Sequence, residues 1–207
     1  MAKMEERNEA LRAATREKIL STAIALFARK GLAGTGVQEI ASLADLSVGL
    51  LYRHFKTKED IFWALLEKAM ADMKTFGTMT EGNIPPEVLI RMSASMIMEN
   101  INKSDEYVQF QKLLSRAADD IPDSLPQMLE TLLEYSQELH GKLTHLIKRG
   151  QKNGTFRQGN ARSMAHLFLA TIQGLCAWKP AAKDGYAPPA PAMLTAFLLK
   201  EEHNIYD

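Results

Sequence analysis

The sequence predicts an all-α protein, and three observations carry that prediction. Apolar residues recur at helical spacing along most of the 207 residues. No stretch alternates apolar and polar residues as a half-buried strand does. Caps and breakers punctuate the chain at helix-sized intervals. About nine helices are expected, divided into a head of short helices at residues 1–56 and a larger body at residues 57–207.

The head reads first. Ile19, Ala23, Leu26 and Phe27 step by four, three and one, which is one face of a first helix. Lys30-Gly31 ends it, with the glycine just past the end, where a left-handed residue closes a helix. Val37, Ile40, Ala41 and Ala44 mark a very short second helix, and Asp45 occupies a tight turn. A third short helix is expected at residues 47–54. Thr57 then caps a fourth. Its hydroxyl is placed to accept the N–H three residues on, where Asp60 suits the positive end of the helix. Phe62, Leu65, Leu66, Ala69, Met70 and Met73 carry that helix onward.

The body is divided by loops at residues 77–86, 119–126, 153–160 and 179–191, each rich in Gly, Pro, Asn or Asp. Between them helices are expected at residues 87–102, 104–118, 125–152, 161–178 and 190–202. No internal repeat and no low-complexity tract interrupts the chain.

Composition narrows the function. Lys plus Arg equal Asp plus Glu at 25 each, so the whole chain carries no net charge. The charge is unevenly spread. Residues 1–58 hold ten Lys or Arg against six Asp or Glu, which leaves +4 there and −4 on the remainder. A basic head on an acidic body suits a protein whose head alone meets a polyanion. Cys176 is the only cysteine, so no disulfide can form within the chain and no cysteine-rich metal site exists. The first residues are too polar for a secretory leader, and no apolar run approaches the ~18 residues of a membrane span. A cytoplasmic protein with no membrane partner, no cofactor and no metal site is the expectation.

The two short helices at residues 37–44 and 47–54, joined by a tight turn, have helix-turn-helix spacing. Ile40, Ala44, Leu46, Leu51 and Phe55 can lock them against the first helix, and small Ala41 lets the backbones approach. Ser47 can cap the third helix and leave its free N–H groups aimed outward, where they suit a phosphate. The face opposite the core offers Ser47, Val48, Gly49, Leu50, Arg53 and His54 to a major groove. Tyr52, His54, Lys56 and Lys58 surround it where phosphates would run. Residue pattern alone equally allows a plain helical hairpin with a solvated basic surface.

Specific motifs distinguish the two. The stretch R16-x-x-I19-L20-x-x-A23-x-x-L26-F27-x-x-x-G31, then T35-x-V37-x-x-I40-A41-x-x-A44, then L46-S47-x-G49-x-L51-Y52-x-H54-F55-x-T57-K58-E59 resembles the DNA-binding head of the tetracycline-repressor-like (TetR) family of transcriptional regulators. About a quarter of the chain carries this resemblance strongly. The motifs G150-x-x-x-G154-x-F156-R157 and Q173-G174-L175 are similar to habits of that family's second domain. The resemblance implies a homodimer that binds a palindromic double-stranded DNA operator and releases it when a small effector enters the body. It implies phosphate contacts from Tyr52, His54, Lys58, Thr35 and its neighbour Gly36, and base or adjacent phosphate contacts from Ser47, Val48, Leu50 and Arg53. Three departures stand out. Gly36 replaces a usual hydroxyl, Asp45 replaces a usual turn glycine, and Val48 and Leu50 sit where polar residues are common. Apolar side chains can touch thymine methyls but form no bidentate bond to guanine, so Arg53 is the first choice for a direct base contact.

Ligand positions in the body are expected at Met70, Met73 and Phe76 on the fourth helix, Met96 on the fifth, Tyr107 and Phe110 on the sixth, and Leu133, Ser136 and His140 on the seventh. Ser136 and His140 interrupt an apolar stripe as sparse polar anchors do in an apolar cavity. Such stripes are also ordinary core. Eleven methionines suit an adaptable pocket for an apolar or aromatic effector. Leu167, Phe168, Thr171 and Leu175, with Leu194, Phe197 and Leu198, are the expected dimer face, pairing with their symmetry mates as a four-helix bundle.

An enzyme would need a nucleophile with its base, paired carboxylates or a metal cluster. His140 and His145 stand five apart on one helix, and no His-Glu-x-x-His, Cys-x-x-Cys or glycine-rich phosphate loop occurs. No enzyme is expected. The remaining rival is a helical protein-interaction scaffold without sequence-specific DNA binding, which would have no need of Tyr52, His54 and Lys58 around an exposed short helix.

Overall fold

A computed structural model describes the backbone of residues 2–182 and 186–200. Within it the side chains of residues 2–3, 72–77, 79–81 and 182 lie outside the described set. Among the described residues nine helices follow in order: α1 (Ala2–Lys30), α2 (Val37–Leu43), α3 (Val48–His54), α4 (Lys58–Glu81), α5 (Pro86–Lys103), α6 (Asp105–Asp120), α7 (Pro126–Lys152), α8 (Ala161–Ala182) and α9 (Pro191–Thr195). No sheet occurs among them, only an isolated antiparallel bridge between Phe156 and Leu199.

Local chemistry accounts for the boundaries. Gly31 ends α1 in the left-handed region (φ 74°), and Asp45 takes φ 51° between α2 and α3. Among the described residues Asp45 is the one non-glycine with positive φ. The Ser47 hydroxyl accepts the N–H of Leu50 at 3.2 Å and starts α3. Thr57 and Asp60 bond reciprocally, each side chain accepting the other's N–H at 3.0 Å, and together they open α4. Ser104 caps α6 through the N–H of Tyr107 at 3.1 Å.

Two apolar cores result. The first joins α1, α2, α3 and the start of α4 around Phe27 and Phe62, whose rings meet edge to face at 5.3 Å, and it also takes in Leu113, Ala117 and Ile121 around the end of α6. The second gathers α5, the end of α7, α8 and the chain end around Phe156, Phe168 and Leu198. Gly150 is required there, because a Cβ at that position would overlap the Phe156 ring.

The last helix is shorter than its apolar spacing suggests. The structure gives α9 only at Pro191–Thr195, in place of the helix expected at residues 190–202. Tighter turns follow. Then Leu198 accepts the N–H of Arg157 at 2.8 Å, and Lys200 donates its N–H to Thr155 at 3.0 Å. The Arg157 guanidinium adds a 2.9 Å bond to the Leu199 carbonyl. Backbone pairing with residues 155–157 thus replaces further helix, which gives the Gly150-to-Arg157 motif a structural role.

Candidate nucleic-acid interface and effector cavity

Each expected head residue has a definite place. Thr35 is buried, and its hydroxyl donates to the Gly31 carbonyl at 2.8 Å. Gly36 is the N-cap of α2 in extended conformation, with no side chain to close the helix. Gly49 is exposed with open space where a Cβ would sit. Tyr52 and Arg53 are exposed and His54 is half-buried at the end of α3. Val48 packs against the head core, so its methyls are only partly free. Leu50 is half-buried.

Lys58 is held more closely than the sequence implies. Its ammonium donates to the carbonyls of Leu32 at 2.8 Å, Thr35 at 3.2 Å and Ala33 at 3.4 Å. It therefore clamps the turn between α1 and α2, with its three donors facing backbone. Sequence reasoning missed one neighbour, Arg16, whose guanidinium lies 4.6 Å from the Phe55 ring centroid at the end of α3. The conjunction of R16 and F55 in the head motif is the signal that could have found it.

In the body, a cavity of about 480 Å³ lies between α4, α5, α6, α7 and α8. Met70, Met96, Tyr107, Phe110 and Ser136 line it as expected positions. Met73 and Phe76 lie outside the described residues. Two further expected positions do not line it. Leu133 is exposed, and the His140 ring faces His166 on α8 at 6.2 Å between centroids. Leu132 and Leu139 form the wall instead. Leu133 and His140 each sit one residue further round α7, about 100° away.

The polar wall residues that sequence reasoning missed are Lys68, Ser93, Asn100, Ser104, Glu106, Gln111, Tyr135 and Gln173. Gln111 stands four residues after Tyr107 on α6, a spacing readable from the sequence. Tyr135 also donates its hydroxyl to the Met70 carbonyl, which ties α7 to α4. Burial pushes the Tyr107 hydroxyl up to about 12, with Cys176 adding to the effect and the Gln111 hydrogen bond opposing it. Burial also raises Cys176 to about 11, against the pull of Lys179 and Lys112. Both groups are neutral at ordinary pH, so Tyr107 offers the cavity a hydroxyl donor, and the charged wall residues Lys68 and Glu106 stand 3.8 Å apart as a pair.

The expected dimer face divides in two. Phe168, Leu194 and Leu198 are buried in the chain's own second core, so they are unavailable to a second chain. Phe168 also lines the cavity. Leu167 is exposed, and Thr171, Leu175 and Phe197 are half-buried. Trp178 and Met193, at 65% and 67% exposure, extend the apolar surface beside them. No group of three or more metal-ligating side chains gathers among the described residues. No helix among them is long and apolar enough to cross a membrane.

Comparison with known proteins places this arrangement in a family. Residues 19–65 match the family model described as bacterial regulatory proteins, tetR family. An uncharacterized HTH-type transcriptional regulator of Bacillus subtilis, YvkB, is 25% identical over 160 residues, covering 77% of this chain and 80% of its own. The HTH-type transcriptional repressor NicS of Pseudomonas putida is 26% identical over 160 residues, covering 76% and 73%. Among solved structures, AibR in complex with isovaleryl coenzyme A and operator DNA aligns at a TM-score of 0.70 and 18% identity, covering 88% of this chain and 94% of that one. The chain thus carries the N-terminal domain of the TetR family at residues 19–65, and the curated relatives matched over 76–77% of it are helix-turn-helix transcriptional regulators.

Proposed function

We propose that the protein is a ligand-responsive repressor that binds a palindromic operator as a homodimer in the cytoplasm. One observation carries the reading: α3 presents Tyr52, Arg53 and His54 on its outer side while its Ser47-capped start leaves backbone N–H groups open. Tyr52 and His54 then serve phosphates, and Arg53 reaches a base edge. Ser47, Gly49 and Leu50 approach the groove at the start of α3. Thr35, Gly36 and Lys58 shape the turn that sets α2 against the backbone. The head (residues 1–56) reads DNA, and the body (residues 57–207) binds effector and partner.

The effector occupies the cavity between α4 and α8, among Met70, Met96, Tyr107, Phe110 and Ser136. The wall favours an apolar or aromatic molecule with an acceptor for the Tyr107 hydroxyl. AibR, of similar fold, is found in complex with both an acyl coenzyme A and operator DNA, which supports a ligand-linked reading of this body. The homodimer is assigned to the exposed side of α8, through Leu167, Thr171, Leu175 and Trp178. Two heads must meet successive major grooves about 34 Å apart. Effector releases DNA only if it binds the DNA-incompetent state more tightly than the competent one.

The test is selection of bound duplexes from a random pool at two salt concentrations. An enriched palindrome, bound less tightly as salt rises from ~50 to ~200 mM, is the expected result. Salt-sensitive binding without an enriched site would reduce the head to a nonspecific one. No binding at either salt, by protein freed of any bound small molecule, would favour the protein-interaction scaffold.

A further inference from the structure

The turn from Gly31 to Thr35 is gripped from two sides. On one side, the first residue of α4, Lys58, donates to the carbonyls of Leu32, Ala33 and Thr35. On the other, the end of α6 presses Arg116 and Asp120 against Gly31. A Cβ on Gly31 would stand 2.7 Å from Asp120 Oδ1 and 2.8 Å from Arg116 Nη2, so a side chain there would push the ends of the pair aside, and the φ of 74° itself favours glycine. The pair itself is close. Arg116 Nη2 donates to Asp120 Oδ1 at 3.1 Å, and Arg116 Nε approaches Oδ2 at 2.8 Å. The Asp120 side chain is 11% exposed, and Nε and Oδ2 are out of solvent.

Two faces of the same helix meet two environments. Tyr107, Phe110, Gln111 and Leu114, three or four residues apart, line the cavity. Leu113 and Ala117, on the neighbouring face, lie in the head core, continued by Ile121 just beyond the helix end. At 16 residues α6 is a rod of about 24 Å. Two of the helices that reach from the cavity to the head, α4 through its first residue and α6 through its last turn, thus meet on one turn, and that turn leads directly into α2.

We infer that Arg116 and Asp120 are positioning residues for operator reading: seated on Gly31, they fix the angle at which the helix-turn-helix leaves the body. They touch no DNA in this assignment. They act through the Gly31–Thr35 turn, holding two heads at one separation. The inference rests on the proposed dimeric operator binding, and its test separates the two.

The experiment uses the full chain and three duplexes: the palindrome selected by the parent protein, the same palindrome with one base pair inserted at its centre, and a single half-site. The parent is expected to lose about tenfold or more on the inserted duplex, because the heads no longer match the grooves. Asp120→Asn and Arg116→Gln, each shown folded by circular dichroism, are expected to lose less than about threefold there, since their heads are free to adjust. Their half-site affinity should stay within about twofold of the parent. Should either variant fail to fold, Arg116→Lys keeps the charge while loosening the forked contact, and the same reduced spacing penalty is expected. Variants that keep the parent's spacing penalty would overturn the inference and leave the proposed function intact. Variants that lose palindrome and half-site binding alike would also overturn it, reducing the pair to support of the head's fold. A parent that binds no duplex would overturn the proposed function itself, and this inference with it.

Discussion

The head and the body solve different packing problems. The head closes its core around Phe27 of α1 and Phe62 of the adjoining α4, both fully buried. The body leaves about 480 Å³ open among five helices and lines it partly with half-buried side chains. A reading head must hold several side chains at fixed relative positions, which a filled core does. A sensing body must keep a space whose filling changes the arrangement. The difference teaches that rigidity and vacancy are distributed by task within one helical chain.

The largest test truncates one aromatic on each side of that divide. Phe62→Ala removes a ring with no exposure from the edge-to-face pair. It should cost about 3–5 kcal/mol and abolish DNA binding at ordinary temperature. Phe110→Ala removes a half-buried ring beside space that is already open. It should cost about 1–2 kcal/mol, because fewer contacts are lost. Urea unfolding of the two variants gives the comparison directly. Equal costs would mean that the cavity is closed in solution and that the body is as filled as the head.

A middle-sized effect asks whether the second core tolerates added volume despite the cavity nearby. Gly150→Ala drives a methyl into the fully buried Phe156 ring, at the point where the chain end pairs with residues 155–157. A loss of about 2–3 kcal/mol is expected from forcing that ring aside. An unchanged melting temperature would show that Phe156 can swing into open space, and the cavity would then be more continuous with the second core than its walls suggest.

Legibility in the sequence follows the same divide. The head is readable because its determinants are local: a buried stripe, a capping serine, a turn residue at positive φ and the Thr57–Asp60 pair all act within a few residues of each other. Asp45 is a residue type that tolerates the left-handed region, and it occupies it. The cavity wall is decided by long-range packing. Spacing along α7 marks an apolar stripe but does not fix which edge meets the opening, so it points to Leu133 and His140 where Leu132 and Leu139 line the space. The apolar periodicity after Pro191 predicts helix, yet Leu198 and Leu199 are buried through turns and pairing with the 155–157 segment. The role of Lys58 depends on the Gly31–Thr35 turn in three dimensions, which brings backbone carbonyls to its ammonium from more than twenty residues away.

A smaller stability effect belongs to the surface that reads DNA. Ser47→Ala removes the bond to the Leu50 N–H and should cost about 1 kcal/mol. Arg53→Ala and Tyr52→Phe should change stability by less than about 0.5 kcal/mol, since both residues are exposed. Their effect should emerge in DNA binding. Tyr52→Phe weakens all sequences alike, whereas Arg53→Ala loses about 1–3 kcal/mol of discrimination at one position of each half-site. Duplex selection repeated with each variant reads this out, and uniform loss for Arg53→Ala would move it to the phosphate contacts.

The smallest expected effect is a pH dependence at the edge of the body. Burial lowers the pKa of His140 below the usual histidine value, and the charges of Arg162 and His166 lower it further, while a hydrogen bond to the Arg162 backbone opposes them. The unfolded chain therefore binds a proton at this position at a pH where the folded chain does not. Its contribution to stability is fully present above the unfolded pKa of 6.5 and falls as pH drops through that value toward the lower folded one. His140→Asn should flatten this part of the profile between about pH 7 and pH 5, by a modest amount because the imidazole is only half-buried. Thermal melts of parent and variant across that range check the sign. A parent that gains stability toward pH 5 relative to the variant would mean that His140 is held protonated. Its partner would then have to be an acid brought near α7 and α8 by a second chain, which would place His140 beside the dimer surface rather than within the body alone.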